Sequence, residues 1–338
     1  ESAAGAGHLH VLKWLRAKTP VVPWGQSRSS AAEGGHLEVL QWLYAQRPRC
    51  PAVVDICSYA ARGGHLHILQ WLRAQTPPAP LDADACTYAA QNGHIHVLHW
   101  LRAQDPPCPW NVMACNYASE NGRLDALMWM RAQTPPAPWD GRACDAAARG
   151  GHLQVIQWLI AQDPPCPLNN NADYYAAQFG NMEVLQWLRS LTPPCPWYPS
   201  TCAVAAKGGF TEILQWLRTQ TPPCPWDEQS TREVVRGGHL SLLKWMRAQD
   251  PPCPWDTHVV RIAVRFKRLR ILKWLRAQDP PCPWDGTALR TAAECGFVEI
   301  QSWLQEHNAP APEPEEEDEY GHRGRRSLMG GMGSMGMG

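Results

Sequence analysis

Cysteine and histidine, thirteen of each, are the side chains in this sequence numerous enough to suggest chemistry. Thiolates and imidazoles bind zinc, and a thiol beside an imidazole can act as a nucleophile. Their spacing points elsewhere. Cys50, Cys108, Cys166, Cys195, Cys224, Cys253 and Cys282 lie in Pro-rich connectors, while Cys57, Cys86, Cys115, Cys144 and Cys202 open apolar segments. The pairs Cys50/Cys57, Cys108/Cys115 and Cys195/Cys202 read C-x6-C, which is not a zinc spacing. An odd total, with Ala79, Ala137, Asp173 or Thr231 in cysteine slots, excludes a regular disulfide framework. Reduced thiols packed as small apolar residues fit an intracellular chain, cytoplasmic with the nucleus as the other option.

The histidines behave similarly. His8, His36, His65, His94, His152 and His239 each follow a glycine, and Arg123, Asn181 and Phe210 replace them elsewhere. Neighbouring repeats place such residues roughly 10 Å apart, too far to share one zinc. They read as structural residues at a turn. His94, His96 and His99, with His65 and His67 nearby, form a local cluster suited only to adventitious metal. No Ser/His/acid set recurs in one unit, and no Gly-rich phosphate loop follows a strand. The sequence therefore predicts no enzyme, no cofactor and no resident metal.

The elements that carry these residues repeat. Tryptophan recurs at positions 14, 42, 71, 100, 129, 158, 187, 216, 245, 274 and 303, a first step of 28 residues and then 29 throughout. A fixed period of this size is the signature of a solenoid. The unit from Cys86 shows the logic. Ala89 and Ala90 centre a short helix that another helix can approach closely. Gly93 suits a left-handed cap. Ile95, Leu98 and Leu101 fall at helical spacing, with Val97 and Trp100 widening the face. Pro106 and Pro107 stop the second helix. Neither helix buries its apolar face alone, so units must stack. The fold class is all-α: a helical-pair solenoid of ten to eleven repeats over residues 1–309, followed by an acidic, then Gly/Met-rich disordered tail over 310–338.

The 18 tryptophans against 4 phenylalanines make Trp the expected bulk of the interior, so Trp158→Ala is expected to cost about 3–5 kcal/mol. Tyr59, Tyr88, Tyr117 and Tyr175 share a slot with Val204 and Ile262, which predicts a buried face. Arg73, Arg102, Arg131, Arg189, Arg218, Arg247 and Arg276 form a ladder expected to be a solvated stripe. Net charge is zero overall. That is no general nucleic-acid footprint, and no apolar run reaches the roughly 20 residues a bilayer requires. One unit departs from this balance: Arg261, Arg265, Lys267, Arg268, Arg270, Lys273 and Arg276 crowd together without an acid. An anion patch centred on Arg261, Lys267, Arg268 and Arg270 is one reading of this cluster. A solvated edge that drifted basic is the other.

Thr287-Ala288-Leu289-Arg290-Thr291-Ala292-Ala293 resembles the T-P-L-H-x-A-A of ankyrin repeats. Gly35-His36-Leu37-Glu38-Val39-Leu40 keeps the ankyrin order after the Ala-Ala pair. The resemblance spans residues 1–309 and is similar to divergent arrays of protists and large DNA viruses. Ankyrin repeats run to about 33 residues; here P-P-C-P-W-D stands where the hairpin finger would be. β-Hairpin fingers are therefore expected to be short or absent. The resemblance implies a non-catalytic scaffold that binds a protein partner through a concave groove; separately, the chain is expected to be monomeric.

Positions that vary between units are free to carry recognition. They follow the Ala-Ala pair: Arg62, Gln91, Asn92, Glu120, Asn121, Arg149, Gln178, Phe179, Lys207, Arg236, Arg265 and Phe266. These are the expected partner-binding residues, since the matching positions of ankyrin arrays point into the groove. The competing reading is a helical-repeat nucleic-acid-binding protein. Its basic residues should line one face, whereas here the excess is confined to one unit, so nucleic acid is not the expected partner.

Overall fold

A computed structural model describes residues 1–18, 26–46, 55–169 and 171–311. Residues 312–338 of the expected tail, Cys50 and Trp24 lie outside the described residues. The described residues hold 22 helices and no strand, and none of these helices is long and apolar enough to cross a membrane.

The chain divides into two compact units, Glu1–Cys253 and Pro254–Gly338. The first contains α1 (Ser2–Gly5), α2 (Leu9–Lys18), α3 (Ser27–Glu33), α4 (Leu37–Ala45), α5 (Ile56–Arg62), α6 (Leu66–Arg73), α7 (Ala83–Asn92), α8 (Ile95–Arg102) and α9 (Val112–Glu120). It continues through α10 (Leu124–Arg131), α11 (Arg142–Gly150), α12 (Leu153–Ile160), α13 (Ala172–Phe179), α14 (Met182–Ser190), α15 (Pro199–Gly208), α16 (Thr211–Thr219), α17 (Glu228–Gly237) and α18 (Leu240–Arg247). The second contains α19 (Thr257–Arg265), α20 (Leu269–Arg276), α21 (Thr287–Glu294) and α22 (Val298–Glu306).

Within each unit the odd-numbered helices stack in succession, and each even-numbered helix packs on the odd one before it. Small residues permit the close stack: Ala60, Ala61, Ala89, Ala90, Ala147 and Ala148 are fully buried. The second helices contribute Leu69, Leu72, Leu98 and Leu101, also fully buried. Each such leucine contributes about 1.5–3 kcal/mol.

The Gly-His pair is the interlock between units. Gly64 adopts φ 77°, and a Cβ there would lie 2.7 Å from the His94 ring of the next repeat. Glycine is thus required twice at one position, for its backbone and for its missing side chain.

The tryptophans are not the core. Trp14 is 58% exposed, and the ten others of the ladder are half-buried. They flank the leucines and meet connector tryptophans edge to face, as in Trp139–Trp158 at 5.9 Å and Trp226–Trp245 at 6.2 Å. A Trp ring is too large to fit between helices held apart by alanines. The tyrosine slot is likewise half-buried at Tyr59, Tyr88, Tyr117 and Tyr175, while the smaller Val204 and Ile262 are buried.

The arginine ladder does not form a solvated stripe. Arg102 donates to the Cys108 carbonyl at 2.7 Å, Arg131 to Ala137 at 2.7 Å and Arg218 to Cys224 at 2.7 Å. The same guanidinium groups lie over Trp110, Trp139 and Trp226 at 4.1, 3.9 and 4.1 Å. Each of these three arginines thus clamps its own connector by a hydrogen bond and a cation–π contact, whereas Arg189 donates to the Thr221 carbonyl of the next connector. That clamp stands where a hairpin finger would otherwise shape the loop. A cis X-Pro bond opens each connector from Thr76-Pro77 to Asp279-Pro280.

Candidate functional site

The variable positions of the first unit all fall at the C-terminal ends of odd-numbered helices. Arg62, Arg149, Lys207 and Phe179 are exposed; Gln91, Asn92, Glu120, Asn121, Gln178 and Arg236 are half-buried. The helix register places them there, because the Ala-Ala pair immediately before them faces the neighbouring helices. The tyrosine slot lies alongside them. Arg62 sits over the Tyr88 ring at 5.8 Å, and Arg149 over Tyr175 at 5.2 Å and Phe179 at 5.6 Å. Ion pairs join successive repeats on the same surface: Arg62–Glu33 at 3.5 Å and Arg149–Glu120 at 3.3 Å. Exposed pairs of this kind contribute less than about 1 kcal/mol each, so they organise the surface more than they stabilise it.

Several of these residues already have structural partners. Asn92 donates to the Arg62 carbonyl at 2.7 Å, and Asn121 to the Tyr117 carbonyl at 2.9 Å. Sequence reasoning missed Glu33 and Glu233. Glu233 occupies the tyrosine slot, is only 5% exposed, and accepts from Gln229 at 2.8 Å. Arg236 reaches it at 2.6 Å and Lys207 at 4.0 Å. Its register with Tyr175 and Val204 was the signal that could have found it.

In the second unit, Arg265 and Phe266 end α19 and are exposed. Lys267 turns the chain at φ 55° and sets its Nζ 5.8 Å from the Phe297 ring centroid. Arg270 and Lys273 are exposed, and Arg261 and Arg268 are half-buried. Arg276 is drawn away from this group, donating to the Cys282 carbonyl at 2.6 Å and stacking on Trp284 at 3.9 Å.

The histidines bind backbone. Nε2 of His36, His65, His94 and His239 faces the carbonyls of Gly5, Glu33, Arg62 and Lys207 at 3.0, 2.9, 3.1 and 3.0 Å. Where asparagine or arginine replaces histidine, the bond persists: Asn181 reaches the Arg149 carbonyl at 2.9 Å and Arg123 the Gln91 carbonyl at 3.4 Å. His67 and His96 face the carbonyls of Gly35 and Gly64. Burial pushes the His65 and His94 pKa values below the ordinary histidine range. A ring that carries its proton on Nε2 donates to these carbonyls and ties the repeats. Among the described residues, no group of three or more His, Cys, Asp or Glu side chains is placed to hold a metal.

Among the described residues the cysteines are free, and all but Cys295 are buried. Connector thiols donate to backbone of the preceding repeat, as Cys108 does to the Asp82 carbonyl at 3.1 Å and Cys166 to Asp140 at 3.3 Å. Burial pushes Cys57 and Cys115 up to about 12, so neither is a thiolate at neutral pH.

Comparison with known proteins gives one family match: residues 29–73 fit the model for ankyrin repeats (many copies). No curated protein is matched. Among solved structures, the chain is similar to the pentatricopeptide repeat protein PPR10 from maize, at 14% identity and a TM-score of 0.39, over 88% of this chain and 51% of that one. It is also similar to PPR10 in complex with an 18-nt psaJ RNA element, at 11% identity and a TM-score of 0.43, over 91% of this chain and 53% of that one. The chain spans about half the length of these structures. The ankyrin-repeat match covers residues 29–73, and the described residues form a helical repeat array consistent with divergent repeats of that type.

Proposed function

We propose that this chain is a non-catalytic, monomeric scaffold for a protein partner, working in the cytoplasm or nucleus. One array over residues 1–309, with 310–338 as a separate tail, would present the surface. The partner is held at the variable ends of the odd-numbered helices. The observation that carries this reading is the division of labour along each odd-numbered helix. The Ala-Ala pair that recurs in most repeats is fully buried, as at Ala60, Ala61, Ala89, Ala90, Ala147 and Ala148. The residues that change, including Arg62, Gln91, Glu120, Arg149, Gln178 and Lys207, stand exposed or half-buried beside the tyrosine slot. Aromatic and arginine side chains together are typical interface anchors. The fold family is generally non-catalytic, which agrees with the absence of a nucleophile–base pair in the sequence.

The test is affinity capture of one discrete protein by the full chain and by a variant with Arg62, Gln91, Glu120, Gln178 and Lys207 changed to Ala. Loss of that protein with the variant is the expected result. Capture unchanged by the variant overturns the assignment of the surface.

A second reading attaches to the second unit. Exposed Arg265, Lys267, Arg270 and Lys273, with half-buried Arg261 and Arg268, suit an anionic ligand such as phosphate or an acidic peptide. The nucleic-acid alternative predicts RNA affinity that falls steeply with salt. Its absence in a filter-binding titration removes that alternative.

A further inference from the structure

The turn between α19 and α20 lacks the groups that balance charge at the same turn elsewhere. Five other second helices carry an acid in the first turn: Glu38, Asp125, Glu183, Glu212 and Glu299. Such an acid suits the partial positive charge of a helix N-terminus. In α20 the same register holds Arg270, and the first turn has no acid. Arg268 stands in the histidine slot, and Lys267 in the glycine slot at φ 55°. The turn itself is kept: the Arg268 amide donates to the Ala263 carbonyl at 2.7 Å, as the His94 amide does to Ala89 at 2.8 Å. A left-handed backbone strains lysine where other repeats place glycine, so the fold carries strain to set one more cation here.

Arg265, Lys267, Arg270 and Lys273 are exposed, and Arg261 and Arg268 are half-buried. Arg261 and Arg265 lie one turn apart on α19, as do Arg270 and Lys273 on α20. Like charges at these spacings repel. Glu294 and Glu299 are the described acids nearest in register on the next repeat, and two carboxylates do not balance six cations. A ligand carrying several carboxylates would relieve the repulsion and complete the helix N-terminus.

The chain carries such a ligand close by. Glu313, Glu315, Glu316, Glu317, Asp318 and Glu319 place six acids in seven residues, with no base among them. The run itself lies outside the described residues, but its point of departure does not. Asn308 turns the chain at φ 56°, and the Ala309 amide donates back to the Leu304 carbonyl at 2.9 Å. The chain therefore leaves beside the last turn of α22. That helix has nine residues, a length of about 13 Å. Phe297, just before its first residue, has its ring 5.8 Å from Lys267 Nζ. The eight residues beyond Ala311 span up to about 27 Å, so the acids reach the basic turn within the same unit.

We propose that the acidic run at 313–319 docks on the basic turn of α19 and α20 as an intramolecular strap, which an external acidic ligand must displace. The proposal deepens the anionic-ligand reading of this unit and rests on it for the chemistry of the ligand. The full chain is treated at low salt with a water-soluble carbodiimide, which joins a lysine amine to a carboxylate in direct contact, and the products are mapped by mass spectrometry. Cross-links from the acidic run to Lys267 and Lys273 are expected, at a yield unchanged by roughly hundredfold dilution. They should fall about tenfold in 0.5 M NaCl. Lys207 and Lys244 are the control lysines. In Lys267→Gly, Arg270→Glu, which restores residue types found at this register in other repeats, the Lys273 cross-link should fall about tenfold with circular dichroism unchanged.

A second measurement titrates a synthetic hexaglutamate peptide into the full chain and into a chain with Glu315, Glu316, Glu317 and Glu319 changed to Gln and Asp318 to Asn. The peptide should bind the second chain about tenfold more tightly, because the competing strap is gone. Absent cross-links, cross-links spread equally over the control lysines, a yield that rises with concentration, or equal peptide affinity for the two chains overturns the strap. Peptide binding without cross-links refutes the strap and leaves the anionic-ligand reading standing. Cross-links without peptide binding to the second chain support the strap and refute an external ligand.

Discussion

Replacing Gly64 by alanine separates the two demands placed on the Gly-His interlock. The backbone demand comes from φ 77°, a left-handed conformation that costs an L-residue about 1–2 kcal/mol. The packing demand comes from the next repeat: an added Cβ would lie 2.7, 2.8 and 3.0 Å from Nδ1, Cε1 and Cγ of His94. Relieving that overlap displaces a ring bonded to the Arg62 carbonyl, and overpacking of this kind costs about 1–3 kcal/mol. The expected loss for Gly64→Ala is therefore about 2–5 kcal/mol. Gly296 is the internal control, since it has φ 67° and a Cβ added there would meet nothing within 4 Å. Gly296→Ala should lose only the backbone share, about 1–2 kcal/mol. Urea denaturation followed by circular dichroism, with hydrogen exchange of α5–α8 amides to localise the effect, measures both. Adding His94→Ala to Gly64→Ala should recover the packing share, a coupling of about 1–3 kcal/mol. Equal losses at Gly64 and Gly296, or zero coupling with His94, would refute the interlock.

The histidine ties make the array acid-sensitive. Because His65 and His94 have folded-state pKa values below the ordinary 6.5, the unfolded chain binds their protons first. Their stability contribution is complete above about pH 6.5 and falls on acidification until the folded-state values are passed; urea midpoints at pH 7.5 and 5.5 should drop, and less so in a His65→Asn, His94→Asn chain. Leu98→Ala should cost about 2–5 kcal/mol. Trp158→Ala should cost less than the 3–5 kcal/mol of a fully buried tryptophan, about 2–4 kcal/mol, since part of the residue is already in water; the two midpoints decide the order. Thiol labelling mapped by mass spectrometry should modify exposed Cys295 within minutes while Cys57, Cys86 and Cys115 resist until denaturant is added.

The periodic sequence alone determined the helical pairs, their register and their turns. An Ala-Ala pair, a glycine and a leucine heptad fragment act within a few residues of one another, and the 29-residue step repeats that local code. It also set which positions vary and lie beyond the alanines, since helix geometry fixes the turn on which Arg62 or Lys207 falls. Tertiary structure alone decided burial and partnership. Tryptophan is apolar in any sequence, yet alanine-spaced helices leave no gap wide enough for it, so the ring lies outside with Arg102 or Arg131 stacked over its connector counterpart. The histidine carbonyl bonds reach residues about one repeat away, as His94 reaches Arg62, and periodicity gives no direction to a side chain. Asp173 read as one more lost cysteine; its bond to Thr201 forms only because stacking brings the two together. Burial, hydrogen bonding and cation–π contact act between residues close in space, and only the stacked repeats place those residues together.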